Sequence, residues 1–250
     1  MARMRGGWLL CLWLGSVSAW AGEITVAVAA NFTRTMEALG ERFEARSGHR
    51  VRFSFGPTGK LYAQIRNGAP FDLFFAADTD KTARLVEEGL ASDAFVYARG
   101  RLVLYSPELP VRDDYRTVLV QTGFRHLAIA NPKTAPYGAA ALAVLQGLGV
   151  MERVRPHLVH GESIAHAFQY VATGNAALGF LAWSQLVDRN SPLHGKGEYW
   201  LPPQSLYPPL DQAAVLLVRA RDNAAARALV DFVKSSEARA IIEGYGYGVP

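Results

Sequence analysis

Residues Phe53–Asp78 read FSFGPTGKLYAQIRNGAPFDLFFAAD, and the spacing of their apolar side chains decides the fold. Just upstream Val51, then Phe53 and Phe55, alternate with Arg52 and Ser54, the period of a strand. Gly56-Pro57-Thr58-Gly59-Lys60 turns the chain into a helix carrying Leu61 and Ile65 on one face. Phe71–Ala77 is continuously apolar but for Asp72, which suits a strand buried on both sides. A strand, a helix and a second such strand describe a crossover in a parallel sheet.

The same alternation extends in both directions. Glu23–Ala30 (EITVAVAA) is a β-rich run ending at Asn31, after which Phe32, Met36, Leu39 and Phe43 recur at helical intervals. Asn31 and Thr33 are both good caps, and Ser47-Gly48 stops the helix. A third helix is predicted around Thr79–Glu88. Phe95–Tyr105 is extended and interrupted at Gly100, as a strand crossing between two lobes would be. A second α/β lobe follows: a strand over Leu127–Ala130, helices over Pro136–Leu148 and Glu162–Thr173, and a strand over Ala177–Leu181. Gln212–Val218 reads as a strand and Ala224–Ile242 as one long amphipathic helix, reached through the Pro-rich Leu201–Pro209 segment. That segment returns the chain to the first lobe. Two connections make a hinge with a cleft, and ligands of open α/β sheets lie at the carboxyl ends of the strands. The expected division is 22–104 with 206–250 as lobe I and 105–205 as lobe II.

Half of the 250 residues are hydrophobic and 19% are charged, which excludes disordered and fibrous classes. Arg3 and Arg5 precede an apolar run, Trp8–Val17, and Ala19-Trp20-Ala21 places small residues where a signal peptidase reads. Residues 1–21 are therefore expected to be a signal peptide. Its run of about ten residues spans about 15 Å as a helix, half the hydrocarbon thickness and too short for an anchor. Cys11, the single cysteine, leaves with it, so neither a disulfide nor a thiol nucleophile is expected in the exported chain. Without Arg3 and Arg5 the balance is 24 basic against 22 acidic residues, which gives no reason to expect a nucleic-acid partner.

Gly56–Lys60 resembles a nucleotide P-loop only superficially. Two residues rather than four separate the glycines, and Leu61 stands where Ser or Thr is needed. What survives is a glycine-bearing turn feeding a helix N-terminus, whose N–H groups can cradle an anion or simply begin a helix. Ala30-Asn31, Pro57-Thr58, Pro136-Tyr137-Gly138 and Glu162-Ser163-Ile164 all stand at predicted helix starts and supply small or uncharged donors. Converging N-termini of this kind fit a small oxoanion better than an organic ligand. His157 and His160 are three apart but have no carboxylate pair nearby, and Ser184 has no histidine placed to activate it. Trp183 and Trp200 are expected to pack lobe on lobe. Tyr245 and Tyr247 in the tail leave ferric iron open as an alternative.

Through ITVAVAANF, the Phe53–Asp78 segment, LAIANPKTAPYGAAALAVLQGLG, GNAALGFLAWSQL and EARAIIEGYGYGVP, the chain resembles the periplasmic molybdate-binding proteins of bacterial ABC importers. The resemblance covers the whole chain after the signal segment. It implies a two-lobed α/β fold of the type II periplasmic-binding-protein class, each lobe a mixed sheet flanked by helices. It implies a monomer in the periplasm that binds molybdate and tungstate without a cofactor and delivers the oxoanion to an inner-membrane permease. Position by position, the oxoanion donors fall on Asn31, Thr58, Tyr137 and Ile164. A tyrosine that many members place in the second lobe falls on Ala182, which lacks a hydroxyl, and Tyr137 is the candidate replacement. Lys60 is expected to point to solvent. Sulfate, phosphate or ferric iron remain as other ligands, and an enzyme on this scaffold would need a titratable pair in the cleft.

Overall fold

The computed structural model describes residues 22–92 and 94–250. The expected signal peptide lies outside the described residues. The chain begins β1 (Glu23–Ala29), α1 (Thr33–Ser47), β2 (Arg50–Gly56), α2 (Thr58–Arg66), β3 (Leu73–Phe75), α3 (Asp80–Glu87) and β4 (Phe95–Gly100). It continues with β5 (Leu102–Ser106), α4 (Val111–Gln121), β6 (Leu127–Ala130), α5 (Pro136–Gly147), α6 (Met151–Val154), β7 (Leu158–Gly161) and α7 (Ile164–Ala172). It closes with β8 (Leu178–Ala182), α8 (Trp183–Val187), β9 (Glu198–Trp200), β10 (Leu210–Leu216), α9 (Ala224–Lys234) and α10 (Ser236–Gly244).

These strands form two five-stranded sheets, in the orders β2-β1-β3-β10-β4 and β7-β6-β8-β5-β9. In the first, β1 runs parallel to β2 and β3, with Val26 opposite Phe53 and Leu73, while β10 inserts antiparallel between β3 and β4. In the second, β6 is parallel to β7 and β8, and β5 is antiparallel to β8 and β9. Both sheets are therefore mixed, in the two-lobed type II architecture.

The continuously apolar strands follow from burial on both faces. Val26 and Val28 pack with Phe32, Met36 and Leu39 of the first turn and α1, while Ala27 between them faces Leu61 of α2 and Leu85 of α3 on the other side. The second sheet has its own core around Leu104, Ile129, Val144 and Phe180.

The structure departs from the sequence reading in three places. All of Leu102–Ser106 belongs to the second sheet, so the chain changes sheets at Arg101 rather than between 104 and 105. The last helix is two: Ser235 takes extended backbone (φ −70°, ψ 158°) and its hydroxyl accepts from Ala238 N–H, capping α10. Trp200 stacks on Tyr115 at 3.7 Å within the second lobe instead of between the lobes, whereas Trp183 packs from the second lobe against the tail at Gly246, as expected.

Candidate functional site

Four strand-to-helix junctions meet between the sheets. From the first lobe, β1 passes through the tight Ala30–Phe32 turn into α1, and β2 passes through Pro57 into α2. From the second, β6 leads to α5 with Pro136 as its first residue, and β7 leads to α7 with Ser163 as its cap. The cap is literal: Ser163 Oγ accepts from His166 N–H at 3.4 Å. Gly138 lets α5 start this close to its strand, because a Cβ there would lie 2.2 Å from Ala130 O.

Between the junctions lies a cavity of about 10 Å³, lined by Asn31, Thr58, Tyr137 and Ile164 together with Ala30 and Ser163. The four residues expected from sequence are thus brought to one place, and no charged side chain lines it among the described residues. By this measure a single water needs about 10–15 Å³, so the cavity is about the size of one water molecule. Grooves of about 370 Å³ flank the cavity on either side, one past Asp78 and Lys133, the other past Arg34 and Asp188.

The hydrogens left without an acceptor at the cavity belong to backbone amides and one hydroxyl. Tyr137 and Ile164 sit in the first turns of α5 and α7, where an α-helix leaves its N–H groups unpaired, and neither N–H has an acceptor among the described residues. Thr58 is buried, and its Oγ1 accepts from Ala77 N–H at 3.1 Å. That leaves the hydroxyl proton free for the cavity. The positive ends of the helix dipoles point the same way.

Three side chains do something other than the sequence suggested. Asn31 caps no helix; its carboxamide is buried, with Nδ2 donating to Gln212 Oε1 (2.9 Å) and to Tyr247 Oη (3.1 Å). The Tyr137 hydroxyl turns away toward Gly100 and accepts from Gln212 Nε2 at 3.4 Å, so it does not substitute for the hydroxyl missing at Ala182. Ala182 is itself outside the cavity lining, its N–H donating to Gln185 Oε1. Lys60 does not point freely to solvent but reaches across the cleft to Glu162 at 2.8 Å, and holds that carboxyl below its ordinary range.

Closure is visible in further contacts between the lobes. Gly59 N–H donates to Thr134 O at 2.9 Å, and Arg34 faces Asp188 at 3.8 Å. Ser184 Oγ donates to Asn31 O (3.3 Å), and Tyr247 Oη lies 2.9 Å from Ser184 Oγ and donates to Asn31 O at 2.7 Å. Burial raises the Tyr97, Tyr137 and Tyr247 phenols above their usual range, so they are neutral. Sequence reading missed Gln212 and Ser184. The signal for Gln212 was a lone amide inside the apolar strand LDQAAVLL.

Residues 24–248 match the family model described as bacterial extracellular solute-binding protein. The molybdate-binding protein ModA of Azotobacter vinelandii is 50% identical over 234 residues, covering 93% of this chain and 92% of its own. ModA of Rhodobacter capsulatus is 46% identical over 245 residues, covering 97% and 95%. The solved periplasmic molybdate-binding protein of Azotobacter vinelandii superposes with a TM-score of 0.85 at 37% identity, over 91% of this chain and 99% of that one.

Proposed function

Because the chain belongs to the bacterial extracellular solute-binding proteins, we infer that the cavity between its lobes holds a transported solute, and that this solute is molybdate. The observation that carries the reading is the convergence of four helix starts, two from each lobe, on one cavity without a charged side chain. The similarity to molybdate-binding proteins along nearly the whole chain supports the same ligand. The chain is a binding protein and not an enzyme.

The donors fall to Asn31, Thr58, Tyr137 and Ile164. A hydrogen bond to a charged acceptor is worth about 1.5–3 kcal/mol, so four give a gross ~6–12 kcal/mol against about 8 for micromolar binding. Neutral donors therefore suffice, and release needs no ion pair to be broken at the anion itself. Lobe I is the first sheet with its helices and lobe II the second; they hinge at Arg101 and in the Leu201–Pro209 segment. Closing them removes water from the oxoanion, and the closed monomer hands it to a membrane permease from the periplasm. Tungstate, with the same charge and shape, is a second ligand.

Sulfate and phosphate are the competing oxoanions. Phosphate carries a proton at neutral pH, and a site made of donors leaves that O–H unpaired. Sulfate is refused by size alone. Calorimetry with molybdate, tungstate, sulfate and phosphate is the test: strong heat is expected for the first two. Clear sulfate binding with none for molybdate or tungstate would reverse the assignment.

A further inference from the structure

Behind the cavity a buried polar chain joins the lobes, and the donor set above draws on only part of it. Gln212 has no accessible surface, and Asn31, Tyr97, Tyr137 and Tyr247 are buried around it. Asn31 Nδ2 donates to Gln212 Oε1 and Tyr247 Oη, and Gln212 Nε2 donates to Tyr137 Oη. Tyr97 Oη lies 3.0 Å from Gln212 Oε1 and 3.1 Å from Ala76 O. In this arrangement the single Tyr97 proton faces two acceptors, while the Tyr137 proton has none among the described residues. The edge of the Asn31 carboxamide left over is its carbonyl oxygen, on a residue that lines the cavity. Next to a dianion that oxygen is repelled.

The two ends of a carboxamide are nearly isosteric. Turning both amides over exchanges oxygen and nitrogen without moving the chain. Tyr137 then donates to Gln212 Oε1, Gln212 Nε2 donates to Asn31 Oδ1 and Tyr97 Oη, and Tyr97 donates to Ala76 O. The cost falls on Tyr247, which loses the hydrogen bond from Asn31 but keeps Asn31 O and Ser184 Oγ as partners. Inside the protein the exchange is close to even. At the cavity it is not, because the free edge of Asn31 becomes an NH2 group.

We propose that Gln212 is a positioning residue for the oxoanion: with a ligand bound both amides are turned, Asn31 donates its NH2 to the oxoanion, and Gln212 holds it there. This rests on the reading of the cavity as a molybdate site. Gln212 is in turn held by Tyr97 from its own lobe and Tyr137 from the other, so the orientation is completed only when the cleft is closed. It also sets specificity. An oxoanion bearing an O–H needs an acceptor, and Asn31 Oδ1 is committed to Gln212.

The test joins nuclear magnetic resonance of the wild type with calorimetry of Gln212→Leu. On adding molybdate, the side-chain NH2 signals of Asn31, assigned by their loss in Asn31→Ser, are expected to shift and to exchange more slowly with water. In Gln212→Leu the molybdate Kd is expected to rise about tenfold or more, the loss of one hydrogen bond to a charged acceptor. Phosphate, read by competition, should lose less, so the preference narrows. A merely structural role would leave that preference unchanged. The proposal is overturned if the Tyr137 and Ile164 N–H signals move with molybdate while the Asn31 NH2 signals do not, or if Gln212→Leu keeps the wild-type preference. Should Gln212→Leu fail to fold, the wild-type spectrum decides alone. Absence of molybdate heat in the wild type overturns the reading of the cavity itself, and this proposal with it.

Discussion

Thr58 has two tasks at once: its oxygen accepts from Ala77 N–H inside the first lobe, and its proton is free for the cavity. Thr58→Ala removes both, so affinity and fold must be read separately. Molybdate affinity is expected to fall by about 1.5–3 kcal/mol in calorimetry, with Thr58→Ser close to wild type. An unchanged affinity with a lowered melting temperature would leave Thr58 a role only in holding Ala77. The placement of Thr58, Tyr137 and Ile164 at helix starts was legible because it is local. The Asn31 side chain was not. Its partners Gln212 and Tyr247 come from the far end of the sequence, and no local spacing announces them.

Helix starts were legible as elements because turn chemistry marks them: Gly-Pro-Thr before α2, Pro at the first position of α5, Ser before α7. Short strands were not. Leu158–Gly161 and Glu198–Trp200 are too brief to show a period, and each gains its form from pairing with β6 or β5. The break at Ser235 was hidden by an apolar pattern that runs through both α9 and α10. At the start of α3, Asp78 Oδ1 accepts from Lys81 N–H, yet burial raises the carboxyl above its usual range, outweighing that bond and the nearby lysine. An acid whose folded pKa is raised is penalised where it is ionised, so its contribution improves as pH falls through that pKa toward the unfolded value. Asp78→Asn keeps the acceptor for Lys81 N–H and loses the charge. Its melting temperature without ligand is expected to exceed the wild type at pH 7, with the difference shrinking as the solution is acidified. A difference that stays constant with pH would mean the buried charge is not the cause.

At the scale of the whole molecule, the two-lobed plan could be read from two α/β runs joined by two crossings, but the fit of one lobe on the other could not. That fit depends on atoms meeting across the cleft, and at Gly59 those atoms are backbone on both sides. Its N–H reaches Thr134 O at 2.9 Å, and a Cβ at this position would stand 3.2 Å from both Thr134 Cα and Thr134 O. Those are backbone atoms of the opposite lobe, with no side chain to swing aside. In Gly59→Ala the lobes would stop a few tenths of an ångström apart, lengthening the Gly59–Thr134 bond and spreading the four helix starts. When the cleft is open the added methyl group meets nothing from the other lobe, so the empty protein should melt like the wild type. Molybdate affinity, which depends on closure, should fall by about 1 kcal/mol, the worth of one ordinary hydrogen bond. Calorimetry and a melting curve on the same sample separate the two, because a lowered melting temperature with unchanged affinity would place Gly59 in the folding of its own lobe and not in the closing of the cleft.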